Sequence, residues 1–466
     1  MYPISVQEFC DLTDGVTSGQ VNRSAMIEAS VIDSRDVERG DAFFALQGTQ
    51  QNGVQFAANA LRDGANVVVV EASDSENCPV PHVVVPDTEI ALAQLANRNR
   101  NVSDALVIGV TGSVGKTTAR RMIASVLQVV HTGIQSPRNF NNHLGVPLSL
   151  LELQEGDEFA IIEMGASGKN EIAALAAITE PEMAVVTRIA PAHMNGFRSL
   201  QTVQQSKQEL VQAVGPDGTV FLNIDDPLVA EMAAATRAQV VTFGMSADAD
   251  VRCTEVEPCD DSLRMVVDDH EYIVPICGRH NATNALAAIA VGLEIGVTPE
   301  QIAAGLQAFE AKPGRSFVAE VGPWTVIDDS YNSSPASVAA AIQMAEDYQS
   351  CNRRVLVLND MLDLGDQSAD LHYGIGAALA SSKIDHVAVM GDFAVDVVEG
   401  FMGASGSQNR ISVFNDLTLL SAMLDCLLGP DDVVVIKGSR ATQMERVVDE
   451  LRTLAATDEP GLRRAA

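Results

Sequence analysis

With 466 residues and 47% hydrophobic content, the chain is long enough for about three domains with real cores. Its 62 acidic residues against 30 basic ones give a net charge of −32, which argues against a nucleic-acid surface and reads most simply as solubility or salt adaptation. No apolar run reaches the ~18 residues of a membrane span, residues 1–9 lack a signal-peptide pattern, and the seven cysteines form no C-x-x-C pair, so a reduced cytoplasmic monomer with no nucleic-acid partner and no membrane insertion is expected.

Residues 1–104 read as a small α/β module. Two short apolar strands stand at 67–70 and 83–85, with a helix over 54–62 before them and a helix over 88–100 closing the region. Ser34 and Arg35 follow a strand-like stretch. A hydroxyl beside a fork of N–H donors suits a diphosphate, although a bare Ser-Arg pair also suits a surface turn.

Residues 105–314 open on the most informative stretch. The apolar run 105–110 predicts a buried strand, and a turn with Gly112 and Gly115 follows. Lys116, Thr117 and Thr118 then start a helix whose residues Met122, Ile123, Val126, Leu127 and Val130 share one face. Strand, glycine turn and helix start make a phosphate cradle from Thr111 to Thr118. Backbone N–H groups and the positive helix end face an anion, Lys116 adds a point charge, and the Thr117 hydroxyl suits Mg²⁺. Val110 stands where the strict pattern has its first glycine, so the match is to the variant T-G-S-x-G-K-T.

Further strands are predicted at Phe159–Glu163, 183–187, Thr219–Asn223 and 239–243, alternating with helices. That alternation argues a parallel sheet, with ligands at the carboxyl ends of its strands. Glu163 ends one such strand and His193 follows another. Lys207 lies in a helical stretch, where a solvated lysine is the plain alternative to a phosphate ligand. The segment 252–276 is β-like, and G-R-H-N (278–281) leads into an alanine-rich helix to about 295, with Asn281 as a helix-start residue.

K-P-G-R (312–315) reads as a linker. Residues 315–466 then alternate again. Strands are predicted at 324–328, Arg354–Leu358, His386–Met390, Ile411–Phe414 and 433–436, with helices at 336–348, 367–380, 417–428 and 441–454. This is a doubly wound pattern without its own Lys-Thr cradle. Asp328, Asp329, Tyr331 and Asn332 cluster after its first strand, K-G-S-R (437–440) follows its last, and the tail 455–466 is expected to fray.

Several stretches together carry a family resemblance: T-G-S-V-G-K-T-T (111–118), R-N-F-N-N-H-L-G-V-P-L (138–148), I-E-M-G-A-S (162–167), P-A-H-M-N-G-F (191–197), G-R-H-N (278–281), D-D-S-Y-N (328–332), D-M-L-D-L-G (360–365) and K-G-S-R (437–440). They run in one order over almost the whole chain, and the chain resembles the Mur ligases, the amide-forming enzymes of peptidoglycan synthesis. The resemblance implies an α/β protein of three domains: a UDP-binding module (1–104), a central P-loop ATPase sheet (105–314) and a C-terminal Rossmann-like domain (315–466). Within the family the motifs are most similar to the ligase that joins D-alanyl-D-alanine to UDP-N-acetylmuramoyl-tripeptide at the expense of ATP. The alternative is another Mur-type amino acid ligase or a folylpolyglutamate-like ligase.

The resemblance also implies roles. Lys116 and the loop amides would neutralise the β- and γ-phosphates, and Thr117 and Glu163 would share one Mg²⁺. His193 and a carbamylated Lys207 would hold a second ion. Asn281 would contact adenine, while Arg315, Asp328 and Tyr331 would reach ATP from the closing domain. Asn141 and Asn142 would line the acceptor space. Ser34, Arg35 and Gly48 would meet the UDP group, and Lys437 and Ser439 the nucleotide or dipeptide. Five positions depart from the family pattern: Asn52 and Val54 in N-G-V (52–54), which replaces Asp-Gly-His; Arg188, which replaces an asparagine and brings a cation toward the metal site; Ser334, which replaces an asparagine; and Asn359, which replaces a glycine.

Overall fold

The computed structural model describes residues 1–48 and 51–457. Three larger sheets run along the chain. The first has five strands in the order Val16–Ser18, His82–Val85, Val67–Glu71, Ala42–Phe44, Ser30–Val31, parallel except for the first. Its run of valines is buried, as expected of parallel strands covered on both faces. The helix Thr88–Asn101 is capped by Asp87, whose carboxylate accepts from Glu89 N and Ile90 N. It carries the chain to the second sheet and ties the two together: Asn99 Nδ2 donates to Leu150 O at 2.8 Å, and Arg100 Nε to Thr179 O at 3.0 Å.

The second sheet has nine strands. Seven run parallel, in the order Gly133–Gln135, Phe159–Glu163, Leu106–Thr111, Met183–Val186, Thr219–Asn223, Gln239–Gly244, Val251–Pro258; the antiparallel strands Leu263–Val267 and His270–Val274 complete it. Leu106–Thr111 lies between a strand reached in one direction and Met183–Val186 reached in the other. The crevice at such a reversal of strand order is where open α/β sheets take ligands. Registry Glu163↔Val110 and Val186↔Thr111 brings three carboxyl ends level there. One face is covered by the helices Lys116–Leu127 and Asn281–Ile295, through Met122, Ile123, Val126, Leu286 and Ile289. Burying each of these side chains stabilises the fold by roughly 1.5–3 kcal/mol. The first helix stops at Leu127, so Val130, expected on its buried face, is 41% exposed.

The third sheet is six-stranded, in the order Phe317–Val321, Trp324–Asp329, Val433–Lys437, Arg354–Leu358, His386–Met390, Ile411–Phe414, parallel except for the first edge strand. Sequence reading passes over that edge strand and over the helix Ala394–Gly403. The helix is poor in strong helix formers and carries Gly400 and Gly403, which lower its intrinsic propensity. Those glycines serve packing instead. A Cβ on Gly400 would lie 2.0 Å from Tyr373 O, and one on Gly376 1.9 Å from Val397 O, so the helix and its neighbour Ser368–Ala380 touch backbone to backbone. The last helix is Glu445–Thr457, later than the predicted 441–454, so residues 455–457 are helical rather than frayed. The rest of the tail lies outside the described residues.

Candidate active site

The loop after Leu106–Thr111 requires glycine at two places. Gly112 has φ 147°, and a Cβ there would stand 2.1 Å from Thr187 Oγ1. Gly115 has φ 85°, and a Cβ there would stand 2.4 Å from Asn284 Oδ1. Both conformations suit glycine alone, and both bring backbone against neighbouring strands and helices. The loop is then pinned: Ser113 N donates to Arg188 O at 2.7 Å, Ser113 Oγ accepts from Ala190 N at 3.0 Å, and Thr111 Oγ1 donates to Met164 O at 2.8 Å. Thr117 and Thr118 are buried in the first helical turn.

A cavity of about 280 Å³ opens beside this loop. Gly112, Ser113 and Lys116 form one wall, Asn141 and Asn142 a second, and His193, Phe197 and Lys207 a third. Lys116 Nζ donates to Gly112 O at 2.9 Å, which curls the side chain back over its own loop. Burial pushes its ammonium down, Glu163 opposes that shift and Arg315 adds to it. Lys207, 3% exposed, sits 5.5 Å over the Phe197 ring. Burial, helped by Lys116, lowers its amine to about 7, against the pull of Glu171 and Glu209. A lysine at that value is about half neutral, and so nucleophilic, near neutral pH. His193 has φ 51° and starts the short helix Met194–Phe197. Loss of water around its ring lowers its pKa; Lys116 and Lys207 add to the effect and Asp363 opposes it.

Glu163 is 1% exposed. Its Oε1 accepts from Asn141 Nδ2 at 2.8 Å, while Oε2 has no hydrogen-bond partner. A buried carboxylate oxygen left open is the donor a hard divalent cation takes. Among the described residues no group of three or more His, Cys, Asp or Glu side chains could hold a metal by itself. Asn142 is used locally, its Oδ1 accepting from Gly145 N at 2.9 Å.

The third sheet reaches the same place. Met194 N donates to Asp363 O at 2.8 Å, and Asp363 Oδ2 lies 3.5 Å from His193 Nδ1. The Arg315 guanidinium stacks 4.0 Å over the Tyr331 ring. Other residues singled out by sequence are occupied by the protein itself. Asp328 accepts from Gly314 N at 2.8 Å and from Ser330 Oγ at 2.6 Å. Lys437 Nζ, buried, is held by Asp329 Oδ2 at 2.7 Å, Asp329 O at 3.1 Å and Asn332 O at 2.5 Å. Ser439 Oγ donates to Asp360 O at 2.8 Å and accepts from Leu362 N at 2.9 Å. Asn281 Nδ2 donates to Cys277 O at 2.8 Å, and its Oδ1 accepts from Asn284 at 3.0 Å. Lys437 and Ser439 thus hold loops, with no donor of the Lys437 ammonium left for a ligand.

Arg188, expected to bring a cation toward the metal site, is exposed. Its charge, after burial and Lys437, lowers the pKa of half-buried His280. In the first sheet's loops, Arg35 is exposed and its Nε and Nη2 grip Asp33, holding that carboxyl down at about 2. Ser34 shares that turn, and Gly48 N donates to Gln51 O at 3.0 Å. Asn52 occupies its side chain on Asp74 and on Val54 N. Sequence reading missed Arg120, whose burial beside Glu163 depends on two distant segments meeting; its only local signal is a basic residue on the apolar side of a helix.

A glycine phosphate loop at the switch point of a parallel sheet, flanked by a second α/β module and a Rossmann-like sheet, defines a three-domain α/β nucleotide-binding architecture. Comparison with known proteins agrees in all three parts. Residues 27–100 match the Mur ligase family catalytic domain, 110–292 the Mur ligase middle domain, and 314–440 the Mur ligase glutamate ligase domain. UDP-N-acetylmuramoyl-tripeptide–D-alanyl-D-alanine ligase of Bacillus subtilis is 32% identical, over 96% of this chain and 98% of its own. The crystal structure of MurF from Acinetobacter baumannii superposes with a TM-score of 0.87 at 30% identity, covering 97% of this chain and 99% of that one. MurF ligase from Thermotoga maritima, solved in complex with ADP, gives 0.79 at 26% identity, covering 92% and 98%. The chain belongs to the Mur ligase family.

Proposed function

We propose that this chain is an ADP-forming ligase that joins D-alanyl-D-alanine to UDP-N-acetylmuramoyl-tripeptide in the making of peptidoglycan precursor. The single observation that carries the reading is the cavity in which Lys116, His193 and Lys207 meet Asn141 and Asn142 beside the phosphate loop, with Glu163 bonded to Asn141 behind it. The near full-length likeness to ligases of that name supports it.

In the first step a carboxylate oxygen of the tripeptide attacks the γ-phosphorus of ATP in line, and ADP leaves. In the second, the dipeptide amine attacks the acyl phosphate carbonyl, expels phosphate and loses a proton. The protein's part is mostly placement of charge. Lys116 and the amides of Thr111 to Thr118 take the β- and γ-oxygens. Asn141 and Asn142 face the acceptor peptide. Arg315 and Tyr331 close on the nucleotide from the third sheet, with Asp328 fixing the turn that carries them and Asn281 lying at the adenine side. Ser34, Arg35 and Gly48 take the UDP group. Lys437 and Ser439 act through the loops they hold. Thr117 and Glu163 would hold one Mg²⁺, and His193 with Lys207 a second; such ions neutralise the phosphoryl oxygens as charge moves. Lys207 would reach a metal as its carbamate, formed when the neutral amine adds CO₂ and gives up a proton. The working units are residues 1–104, 105–314 and 315–466, and the enzyme acts as a monomer in the cytoplasm; among the described residues no helix is long and apolar enough to cross a membrane.

The test is phosphate release with purified protein, ATP and Mg²⁺. Release is expected only with both UDP-muramoyl-tripeptide and D-alanyl-D-alanine present. A panel of single amino acids, and folate with glutamate, should give none. Release with neither substrate, or with a single amino acid in place of the dipeptide, overturns the reading.

A further inference from the structure

The helix that begins at the phosphate loop carries a cation that the proposed chemistry does not use. Arg120 lies one turn beyond Lys116 and is 2% exposed. Its Nη2 donates to Arg138 O at 3.1 Å, while Nε and Nη1 have no hydrogen-bond partner. The facing acid is Glu163, with Nε 3.6 Å from Oε2, and that oxygen is also without a partner. A guanidinium free to choose would fork onto the carboxylate at about 2.7–2.9 Å. Here the Arg138 carbonyl holds it back. Two buried charges face each other with open valences on both, which is costly unless something later completes them.

The charge balance indicates what that is. Glu163 acts electrostatically on both Lys116 and Arg120, and Arg315 adds a third positive charge to the same surroundings. Lys207, on the far wall, is faced by Glu171 and Glu209, and His193 by Asp363. The ground around Glu163 is therefore net positive. A divalent ion arriving alone meets repulsion; one arriving on a triphosphate, already wrapped in anionic oxygens, does not.

We propose that Arg120 is a positioning residue that neutralises Glu163 until nucleotide binds, so that the divalent ion enters only as a metal–nucleotide complex. This rests on the reading of Glu163 and Thr117 as the residues that hold an ion. The gap between Arg120 and Glu163 keeps Oε2 open for that ion, and the guanidinium prevents the same oxygen from collecting an ion beforehand.

The experiment is a Mn²⁺ titration of the full-length protein followed by electron paramagnetic resonance, with and without a non-hydrolysable ATP analogue. Wild type should bind Mn²⁺ at least about tenfold more weakly without the analogue than with it. Arg120→Met should gain roughly tenfold or more in nucleotide-independent Mn²⁺ affinity, and adding Glu163→Gln should abolish the gain. Arg120→Lys, which keeps the charge, should behave as wild type. A gain of binding is not produced by damage to the fold; should the methionine variant prove unfolded by circular dichroism, Arg120→Gln is read in its place. Equal Mn²⁺ affinity of wild type with and without the analogue, or no gain in the neutral variants, overturns the proposal. If wild type takes up no Mn²⁺ even with the analogue, the assignment of the loop as a nucleotide site falls, and this proposal with it.

Discussion

Lys116 and Lys437 stand in the same kind of place in two different sheets. Lys437 ends a parallel strand, Lys116 begins the helix after one, and each is flanked by a strand-end carboxylate, Glu163 and Asp329. The difference lies in what is left open. Lys437 has three acceptors for its three donors. Lys116 has one good acceptor, in its own loop, and a distant contact to Ser113 O at 3.5 Å. The same holds for the acids: both oxygens of Asp329 are occupied, by Ser316 N at 3.0 Å and by Lys437, whereas Glu163 keeps Oε2 open. Buried polar groups are normally satisfied, so the open Glu163 oxygen beside a lightly held Lys116, set against a fully held Asp329 and Lys437, separates chemistry from scaffold at these two pairs.

The contrast is breakable. Lys116→Ala should have the largest effect, a loss of about 10²–10³-fold or more in turnover with little change in folding, because its charge acts where the transferring phosphoryl group develops charge; phosphate release and circular dichroism read the two sides. Lys437→Met should do the reverse. It leaves the Asp329 carboxylate without its ammonium, and breaking such a pair costs about 3–5 kcal/mol, seen as a lower denaturant midpoint for the third sheet. Retained stability with lost turnover would erase the distinction between the two lysines.

Lys207→Ala should lower turnover by about 10²-fold, and acetate or bicarbonate should restore part of it by supplying the missing oxygen donor. The sign of the pH effect follows from its amine at about 7: protonated below that value, neutral and able to take up CO₂ above it. Stripping CO₂ should therefore reduce activity, and at one fixed concentration of dissolved CO₂ activity should return faster at pH 8 than at pH 6. Full turnover of the alanine variant would remove the carbamate role. The smallest effect is expected of Ser439→Ala, about 1 kcal/mol of stability for the two hydrogen bonds it makes to the 360–362 loop. A large rise in KM for the dipeptide would instead mean that its hydroxyl reaches substrate.

The features legible in the chain before folding were local ones. An apolar run, two glycines and Lys-Thr fix a strand, a tight turn and a helix start, because each step is imposed by backbone sterics and hydrogen bonding within a few residues. Strand–helix alternation then puts Glu163 and His193 at one edge of a sheet, and the boundaries of strands such as Phe159–Glu163 and His386–Met390 were legible from buried runs alone. Tertiary structure decided which groups remain open. Whether a lysine is a ligand or a clamp depends on how many acceptors distant segments bring to it, and Lys437 meets a loop more than 100 positions away in the chain. Arg120 looks like any basic residue on a helix until Glu163 and Arg138 fold against it, and the glycines of Ala394–Gly403 look like breakers until a second helix packs on them. Those outcomes depend on long-range packing and desolvation, which local propensity does not encode.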